Sequence, residues 1–201
     1  MINQEQLKDL YQHGAITFTD TRLRDARLPE ATIEWLRTTG LPAGPGDRAL
    51  GIHLEGSFNA MLIDGKTYRQ IGYEWEHVRV IALEETTGAV YSVDEQTKTP
   101  PAFVNTSLPA FLLFLQYFQQ YQQRRAAYDT PVAVYTREEM LQRLEQLKNK
   151  TMPISSPGKE KFDQEKEFKA MKAFFEHHDV TAIHENNWWS FILEQVEDDL
   201  L

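Results

Sequence analysis

Two short runs of β-forming residues, 78–83 and 89–93, mark the segment around which the chain is organised. They are joined by a polar connection that ends in Gly88, and glycine can adopt the positive φ that a hairpin loop often requires. The pattern therefore predicts a β-hairpin in the middle of the chain.

Apolar residues at helical spacing follow in residues 103–123 and predict a helix that packs against the sheet of this hairpin. Thr106 or Ser107 is its candidate N-cap, and Pro109 is tolerated in the first turn because no intrahelical hydrogen bond is lost there. One broad face of the helix is expected to be buried, and it consists of Phe111, Leu112, Leu115 and Phe118. Phe114 lies outside this face. Together the hairpin and the helix predict an α+β core.

Earlier in the chain, the pattern predicts two helices and a second hairpin, over residues 4–11, 29–39 and 57–72. The turn of the second hairpin is Asp64-Gly65, which is a strong signal for a two-residue loop. Several strands in succession, followed by a helix, indicate a twisted, mainly antiparallel sheet with flanking helices.

After residue 125 the sequence predicts three more helices, over residues 136–148, 160–177 and 188–196. Thr136 and Glu139 have the spacing of a capping box at the start of the first one. Residues 150–159 are the most linker-like stretch of the chain. We therefore predict an α+β core over residues 1–125 and a C-terminal helical extension over residues 126–201 that docks on this core, with a separate small appendage as the alternative.

Composition places the chain among acidic proteins without cysteine. Its 201 residues carry a formal net charge of −9 with a pI near 5.2, which disfavours nucleic-acid binding because phosphate contacts need Lys and Arg. The absence of cysteine excludes disulfides and thiolate catalysis. The sequence has no apolar run of about eighteen residues and no signal-peptide pattern, so we expect no membrane helix and a cytoplasmic location.

The strongest catalytic candidates are three histidines near the C-terminus: His177, His178 and His184. Adjacent histidines on a helix diverge by about 100°, and no further ligand has metal-site spacing, so we expect no metal and no other cofactor. The sequence contains no nucleophile elbow, phosphate loop or dinucleotide fingerprint. It therefore predicts a protein that is not an enzyme, with catalysis by these histidines and nearby carboxylates as an alternative.

Two groups of acidic residues are the remaining functional signal. Residues 179–201 hold six acids and no Lys or Arg, and acids also outnumber bases over residues 70–94. Acids at a helix C-terminus oppose the helix dipole, so a sequence selected for stability alone would avoid them there. The alternative is that the C-terminal acids belong to a frayed, solvated tail. The candidate partner-binding residues are Glu74, Glu76, Glu84, Glu85, Glu194, Glu197, Asp198 and Asp199.

Four pieces of the sequence, in order, resemble motifs of one family. They are the helix end at residues 35–42, Ile71-Gly72 with the hairpin around Gly88, the segment Phe103-Val104-Asn105-Thr106-Ser107-Leu108 followed by Phe111-Leu112, and the ending at residues 189–196. In this order they resemble the fourth subfamily of the SUKH superfamily of bacterial immunity proteins. The resemblance covers most of residues 33–118 and the last twenty or so residues, whereas residues 129–159 carry no matching motif.

The resemblance implies an α+β fold with a twisted antiparallel sheet, and a non-catalytic protein that binds and neutralises a cognate bacterial toxin, often a nuclease or a deaminase. It implies no catalytic residues and transfers no partner-binding residues. The acidic candidates lead us to expect a basic toxin, because complementary charge accelerates association. The alternative is a non-catalytic intracellular scaffold or regulatory module of the same fold that binds other proteins.

Overall fold

A six-stranded antiparallel sheet forms the centre of the chain. The structure, a computed structural model, describes residues 2, 4–44, 47, 49–75, 78–94, 96, 99–128, 136–149 and 162–201. The strands are β1 (Ala15–Ile16), β2 (Leu41–Pro42), β3 (Ile52–Leu54), β4 (Ala60–Ile63), β5 (Lys66–Glu74), β6 (Arg79–Glu84), β7 (Val90–Val93) and β8 (Ala102–Asn105). The sheet has the order β3-β5-β6-β7-β8, with β4 also paired to β5, while β1 pairs with β2 alone.

In the described part of the chain, helices both precede and follow the strands of this sheet. They are α1 (Asp20–Asp25), α2 (Glu30–Thr38), α3 (Leu108–Tyr128), α4 (Arg137–Lys148), α5 (Gln164–Asp179) and α6 (Trp188–Glu197), with 3-10 helices at Gln4–Leu7 and Val180–Ile183. The predicted fold class, an antiparallel sheet with flanking helices and further helices at the C-terminus, is confirmed.

The turns and the helix cap that short sequence patterns predict are present in the structure. Asp64 and Gly65 both have positive φ, 49° and 76°, as a type I′ hairpin turn between β4 and β5 requires. Gly88 has φ 71°, and a Cβ there would lie 2.5 Å from the Thr32 Oγ1, so the hairpin loop touches α2 where only glycine fits. Thr136 forms the predicted capping box at the start of α4.

The range predicted for the long helix begins too early, at residue 103, whereas the predicted N-cap at Ser107 agrees with the structure. Residues 103–105 lie in β8, where Phe103 pairs with Tyr91 of β7 and their rings meet edge to face at 5.5 Å. The helix begins at Leu108 instead, and the Ser107 hydroxyl accepts a hydrogen bond from the Ala110 amide at its first turn. Residues 103–105 therefore pair with β7 as a strand, although their apolar side chains extend the helical pattern of the residues that follow.

Helix α3 is buried on almost all sides through its first four turns. Phe114, which the sequence places outside the apolar face, is fully buried and stacks on Phe175 of α5 with ring centroids 3.9 Å apart. Phe111 and Leu115 are also buried, at 0% and 2% exposure. Because α5 and α6 cover the side of α3 away from the sheet, this helix lies inside the core rather than at its edge.

A buried polar network attaches the C-terminal helices to β8 and α3. The Asp179 Oδ2, at the end of α5, accepts hydrogen bonds from Asn105 Nδ2 at 3.0 Å, from the Thr106 amide at 2.8 Å and from the Thr106 hydroxyl at 3.0 Å. This carboxylate lies just before the N-terminus of α3, where the helix dipole favours negative charge. The division of the chain at residue 125 stays a prediction, and α3 continues three residues beyond it to Tyr128.

Helix α4 differs from the others, because none of its described side chains is buried. Its exposed apolar residues are Met140, Leu141, Leu144 and Leu147. Residues 150–159, predicted as a linker, and residues 160–161, predicted to begin the next helix, lie outside the described part of the chain. Within that part, no helix has both the length and the apolar character that a membrane crossing would need.

Candidate partner-binding surface

The carboxylate of Glu74 lies at the end of β5 and is 3% exposed. Its Oε2 accepts a hydrogen bond from the Trp188 indole nitrogen at 3.3 Å, so it connects the sheet to the first turn of α6. Its Oε1 is buried and has no hydrogen-bond partner among the described residues. Burial raises the pKa of the Glu74 carboxyl above its ordinary value, and nearby polar groups lower it by less.

Glu74 forms part of a small groove between the end of β5 and α6, which we call the α6 groove. Its volume is about 190 Å³. The lining residues are Ala49, Leu50, Glu74, Trp75, Trp188, Phe191, Ile192, Gln195 and Leu201. Two of its aromatic side chains face solvent, Trp75 at 53% exposure and Phe191 at 49%. Large exposed aromatic residues beside a pocket are typical of protein interfaces, where tryptophan contributes much of the binding energy.

Trp75 has an unusual backbone conformation at the rim of this groove. Its φ is 44°, in the left-handed region that bulky side chains rarely adopt. The turn is held by the Trp75 amide, which donates to the Gly51 carbonyl at 2.9 Å. The indole lies so close to Gly51 that a Cβ there would meet Trp75 Cδ2 at 2.5 Å. This strain holds a large aromatic side chain in a position that is half exposed, as is common at binding sites.

Exposed carboxylates lie at the C-terminal end of α6, on the helix that contributes Phe191 and Gln195 to the α6 groove. Phe191 and Glu194 are three residues apart on α6, so their side chains share one exposed face of the helix, and the exposed Asp198 is its C-cap. Glu197 is exposed at the last position of the helix. None of these three carboxylates forms an ion pair with the residues that the structure describes. We call Glu194, Glu197 and Asp198 the acidic rim.

Asp199 belongs to the same sequence cluster but is already neutralised. Its Oδ1 accepts from Arg125 Nη2 of α3 at 2.6 Å, and Arg125 also donates to the Leu201 carbonyl. The predicted C-terminal cluster therefore divides into three free carboxylates and one that holds the end of the chain against α3.

The other predicted acidic cluster does not form one surface. Glu84 is only 4% exposed and binds Lys66 at 3.2 Å and the Thr87 hydroxyl at 2.6 Å. Glu85 pairs with Arg69 at 2.6 Å. Both lie at the opposite end of β6 from Glu74, so the structure does not bring them together with it, and their role in partner binding stays a prediction. Glu76 lies outside the described residues.

The histidines are spread over the end of α5 and the turn after it. The His177 and His178 rings touch edge to face at 4.9 Å, and His184 follows the second 3-10 helix. Burial, together with His177, lowers the pKa of His178. In the part of the chain that the structure describes, no three His, Asp or Glu side chains converge as metal ligands would.

A larger cavity of about 710 Å³ lies between α3 and the loops before β3. Its polar lining is mostly neutral, with Gln12, Gln119, Gln122 and Gln123. Asp47 at its edge is used internally, because its Oδ1 accepts from the amides of Ala49 and Leu50 at 3.0 and 2.9 Å. Among the residues that the structure describes, this cavity is lined by no large exposed aromatic side chain and no unpaired buried side-chain oxygen, the two features that distinguish the α6 groove.

The fold and the α6 groove together define an α+β protein whose candidate site is a surface for contact with another macromolecule. The family model described as SUKH-4 immunity protein matches residues 2–195, so the chain belongs to the SUKH-4 immunity protein family. Membership confirms the resemblance seen in the sequence motifs and indicates an immunity function against a toxin. No curated protein and no solved structure matches the chain.

Proposed function

We propose that this protein binds a cognate bacterial toxin through the α6 groove and the acidic rim, and neutralises it without catalysis. The observation that carries the proposal is the exposure of Trp75 and Phe191 beside three unpaired carboxylates in a member of an immunity protein family. Aromatic residues at the centre with charge around them form the usual arrangement of a tight protein interface.

The charge of this surface supports a basic toxin as the partner. Residues 179–201 contain no Lys or Arg, so the rim presents only negative charge. A toxin domain that binds or cleaves nucleic acid needs positive charge at its own site, and complementary fields would guide the two proteins together. The cysteine-free composition supports action in the cytoplasm, where such a toxin would meet its target.

The experiment is a growth-rescue and binding assay with the toxin domain encoded beside this gene. Wild-type protein should restore growth of toxin-expressing cells and bind the purified toxin domain. Phe191→Ala and Trp75→Ala should each weaken binding by about tenfold or more, because central aromatic residues dominate such interfaces.

Leu62→Ala is the matched control, because Leu62 is also a large exposed apolar residue, at 76% exposure, but lies on β4 outside the groove. Its binding should equal that of the wild type. Full binding by both aromatic variants would exclude the α6 groove as the contact surface. Absence of any wild-type complex would contradict the toxin-binding function itself.

Neutralisation by binding alone also predicts the form of inhibition. Residual toxin activity should fall with the molar ratio of the two proteins and then stay constant with time. Continued loss of activity at a substoichiometric ratio would instead indicate turnover by this protein.

A further inference from the structure

Among the described residues, Glu74 Oε1 is the one buried side-chain polar atom of the α6 groove without a hydrogen-bond partner. Glu74 is 3% exposed, and its Oε1 has no hydrogen bond among the described residues. Leaving a buried carboxylate oxygen unpaired is destabilising, because the lost hydration is not replaced. A group retained under such a penalty is expected to find its donor elsewhere.

The charged residue opposite Glu74 in the sheet does not supply this donor. Arg79 pairs with Glu74 across β5 and β6, but its guanidinium donates to Ser92, Nε to Oγ at 2.7 Å and Nη2 to the carbonyl at 3.2 Å. The Ser92 side chain, like the Trp188 indole, lowers the pKa of the Glu74 carboxyl, but Oε1 itself has no hydrogen-bond partner among the described residues. The guanidinium of Arg79 is therefore already bound to Ser92 and does not donate to Glu74 Oε1.

The size and walls of the groove restrict what could enter it. A volume of about 190 Å³ is below the roughly 300 Å³ at which pockets begin to hold drug-sized ligands, so it suits a single side chain. The walls are aromatic and aliphatic, with Trp75 half exposed at the rim. An apolar side chain would leave Oε1 unpaired, and a lysine ammonium would lose more hydration than a guanidinium does.

We propose that the α6 groove receives an arginine side chain of the toxin, whose guanidinium donates to Glu74 Oε1 and stacks on the indole of Trp75. This inference rests on the proposed function. A planar guanidinium combines aromatic stacking with directed N–H donors, which matches this pair of groups. Because Oε1 is closed to water in the free protein, entry of the arginine requires the half-exposed Trp75 side chain to shift from the position that Gly51 supports.

A small-molecule titration tests the subsite without the toxin. The probe is N-acetyl-arginine amide, with the isosteric but uncharged N-acetyl-citrulline amide as its control. The indole N–H resonances of Trp75 and Trp188, identified by Trp→Phe variants, are followed by NMR up to high millimolar probe. The arginine probe should shift them saturably in the wild type, and the citrulline probe should not.

Two isosteric variants make the titration specific. Glu74→Gln should abolish the arginine-dependent shifts. Glu84→Gln is the matched control, since Glu84 is an equally buried carboxylate of the same sheet whose oxygens are used by Lys66 and Thr87. It should leave the shifts unchanged. Absence of saturable shifts in the wild type, or equal shifts in Glu74→Gln, would overturn the inference.

The same variants give the second readout in the toxin complex. Glu74→Gln should weaken toxin binding by about tenfold or more, since one hydrogen bond to a charged group is lost, and Glu84→Gln should not. Unchanged affinity in Glu74→Gln, with a wild-type complex present, would exclude the arginine contact but retain toxin binding. If the wild type binds no toxin, the proposed function fails and the probe titration alone decides the subsite.

Discussion

The indole nitrogen of Trp189 donates a hydrogen bond to Asn105 Oδ1 at 2.8 Å, and both side chains are fully buried. At its other end, the Asn105 amide donates to Asp179 Oδ2 at 3.0 Å. One amide side chain on β8 therefore joins α5 to α6, with its donor directed at one helix and its acceptor at the other. A side-chain amide carries a donor and an acceptor on one rigid planar group, which suits the asparagine in this segment to both contacts.

Asn105→Ala should destabilise the protein by about 3 kcal/mol, because the Trp189 indole N–H is left without an acceptor and Asp179 loses one of three donors. Urea denaturation measures the change. Asn59→Ala is the control, since Asn59 is exposed and donates only a long 3.3 Å hydrogen bond to Gln70. A loss below about 1 kcal/mol for Asn105→Ala would show that the network contributes little to stability.

Phe114→Ala and Phe111→Ala should each cost about 3–5 kcal/mol through lost burial and the cavity left behind. Phe191→Ala removes the same side chain from the exposed face of α6 and should change stability by less than about 0.5 kcal/mol. The free energy of unfolding of the three variants gives the comparison. Equal losses at positions 114 and 191 would contradict the central placement of α3.

Glu74→Gln should stabilise the free protein at neutral pH. Burial raises the pKa of Glu74 in the folded protein. Below the ordinary pKa of a glutamate, the carboxyl is protonated in both states and does not destabilise the fold. As pH rises through the raised pKa, the buried carboxylate becomes charged and destabilises the folded state. Arg79 is the charged group that acts on Glu74. Thermal melts of both proteins across acidic and neutral pH should show the advantage of the variant shrinking on acidification. A less stable variant at neutral pH would indicate a structural role for the ionised carboxylate.

Combined Glu194→Gln and Asp198→Asn should slow association with the toxin and make its rate less dependent on salt. At physiological ionic strength the Debye length is about 8 Å, so steering by exposed charges is strongest in dilute salt. Stopped-flow mixing at several salt concentrations measures this effect. Glu138→Gln with Glu145→Gln on α4 is the control, with two exposed carboxylates removed elsewhere. Wild-type association rates at low salt would mean that the rim does not steer the toxin.

The purified, untagged protein should contain no stoichiometric metal. No cluster of three His, Asp or Glu side chains occurs within the described ranges, and the His177 and His178 rings lie edge to face. Elemental analysis is the measurement. Near-equimolar zinc that is lost in His178→Ala or His184→Ala would disprove this expectation and would return the histidines to consideration as catalytic residues.

Sequence reasoning succeeded where a signal is local. The Asp64-Gly65 turn, the Thr136 capping box and the glycine of the central hairpin depend on a few adjacent residues, and each occurs as predicted. It failed at Phe103, because this residue is a strand only through its pairing with Tyr91 of β7. The local spacing of apolar residues does not reveal such a pairing. Phe114 was misplaced for a related reason, since α5 covers a face that would otherwise be solvated.

The candidate site shows the same limit. An acidic residue near a strand end gives no sign of burial, so Glu74 and Glu84 could not be told from surface carboxylates. The groove itself depends on a contact between Glu74 and Trp188, which are 114 positions apart. By contrast, the acidic rim could be predicted from sequence, because helical spacing and the absence of Lys and Arg are both visible there.

The hydrogen bond between Thr106 and Asp179 closes a loop of 73 residues, and the length of this loop can change during evolution at little cost in stability. The entropy of closing a loop rises only with the logarithm of its length, so doubling the loop would cost about 0.6 kcal/mol. Segments inside it, outside α3 and α5, can therefore gain or lose residues with little effect on the docked C-terminal helices. Relatives of this protein are expected to differ most in length between residues 129 and 161, while α6 keeps its position.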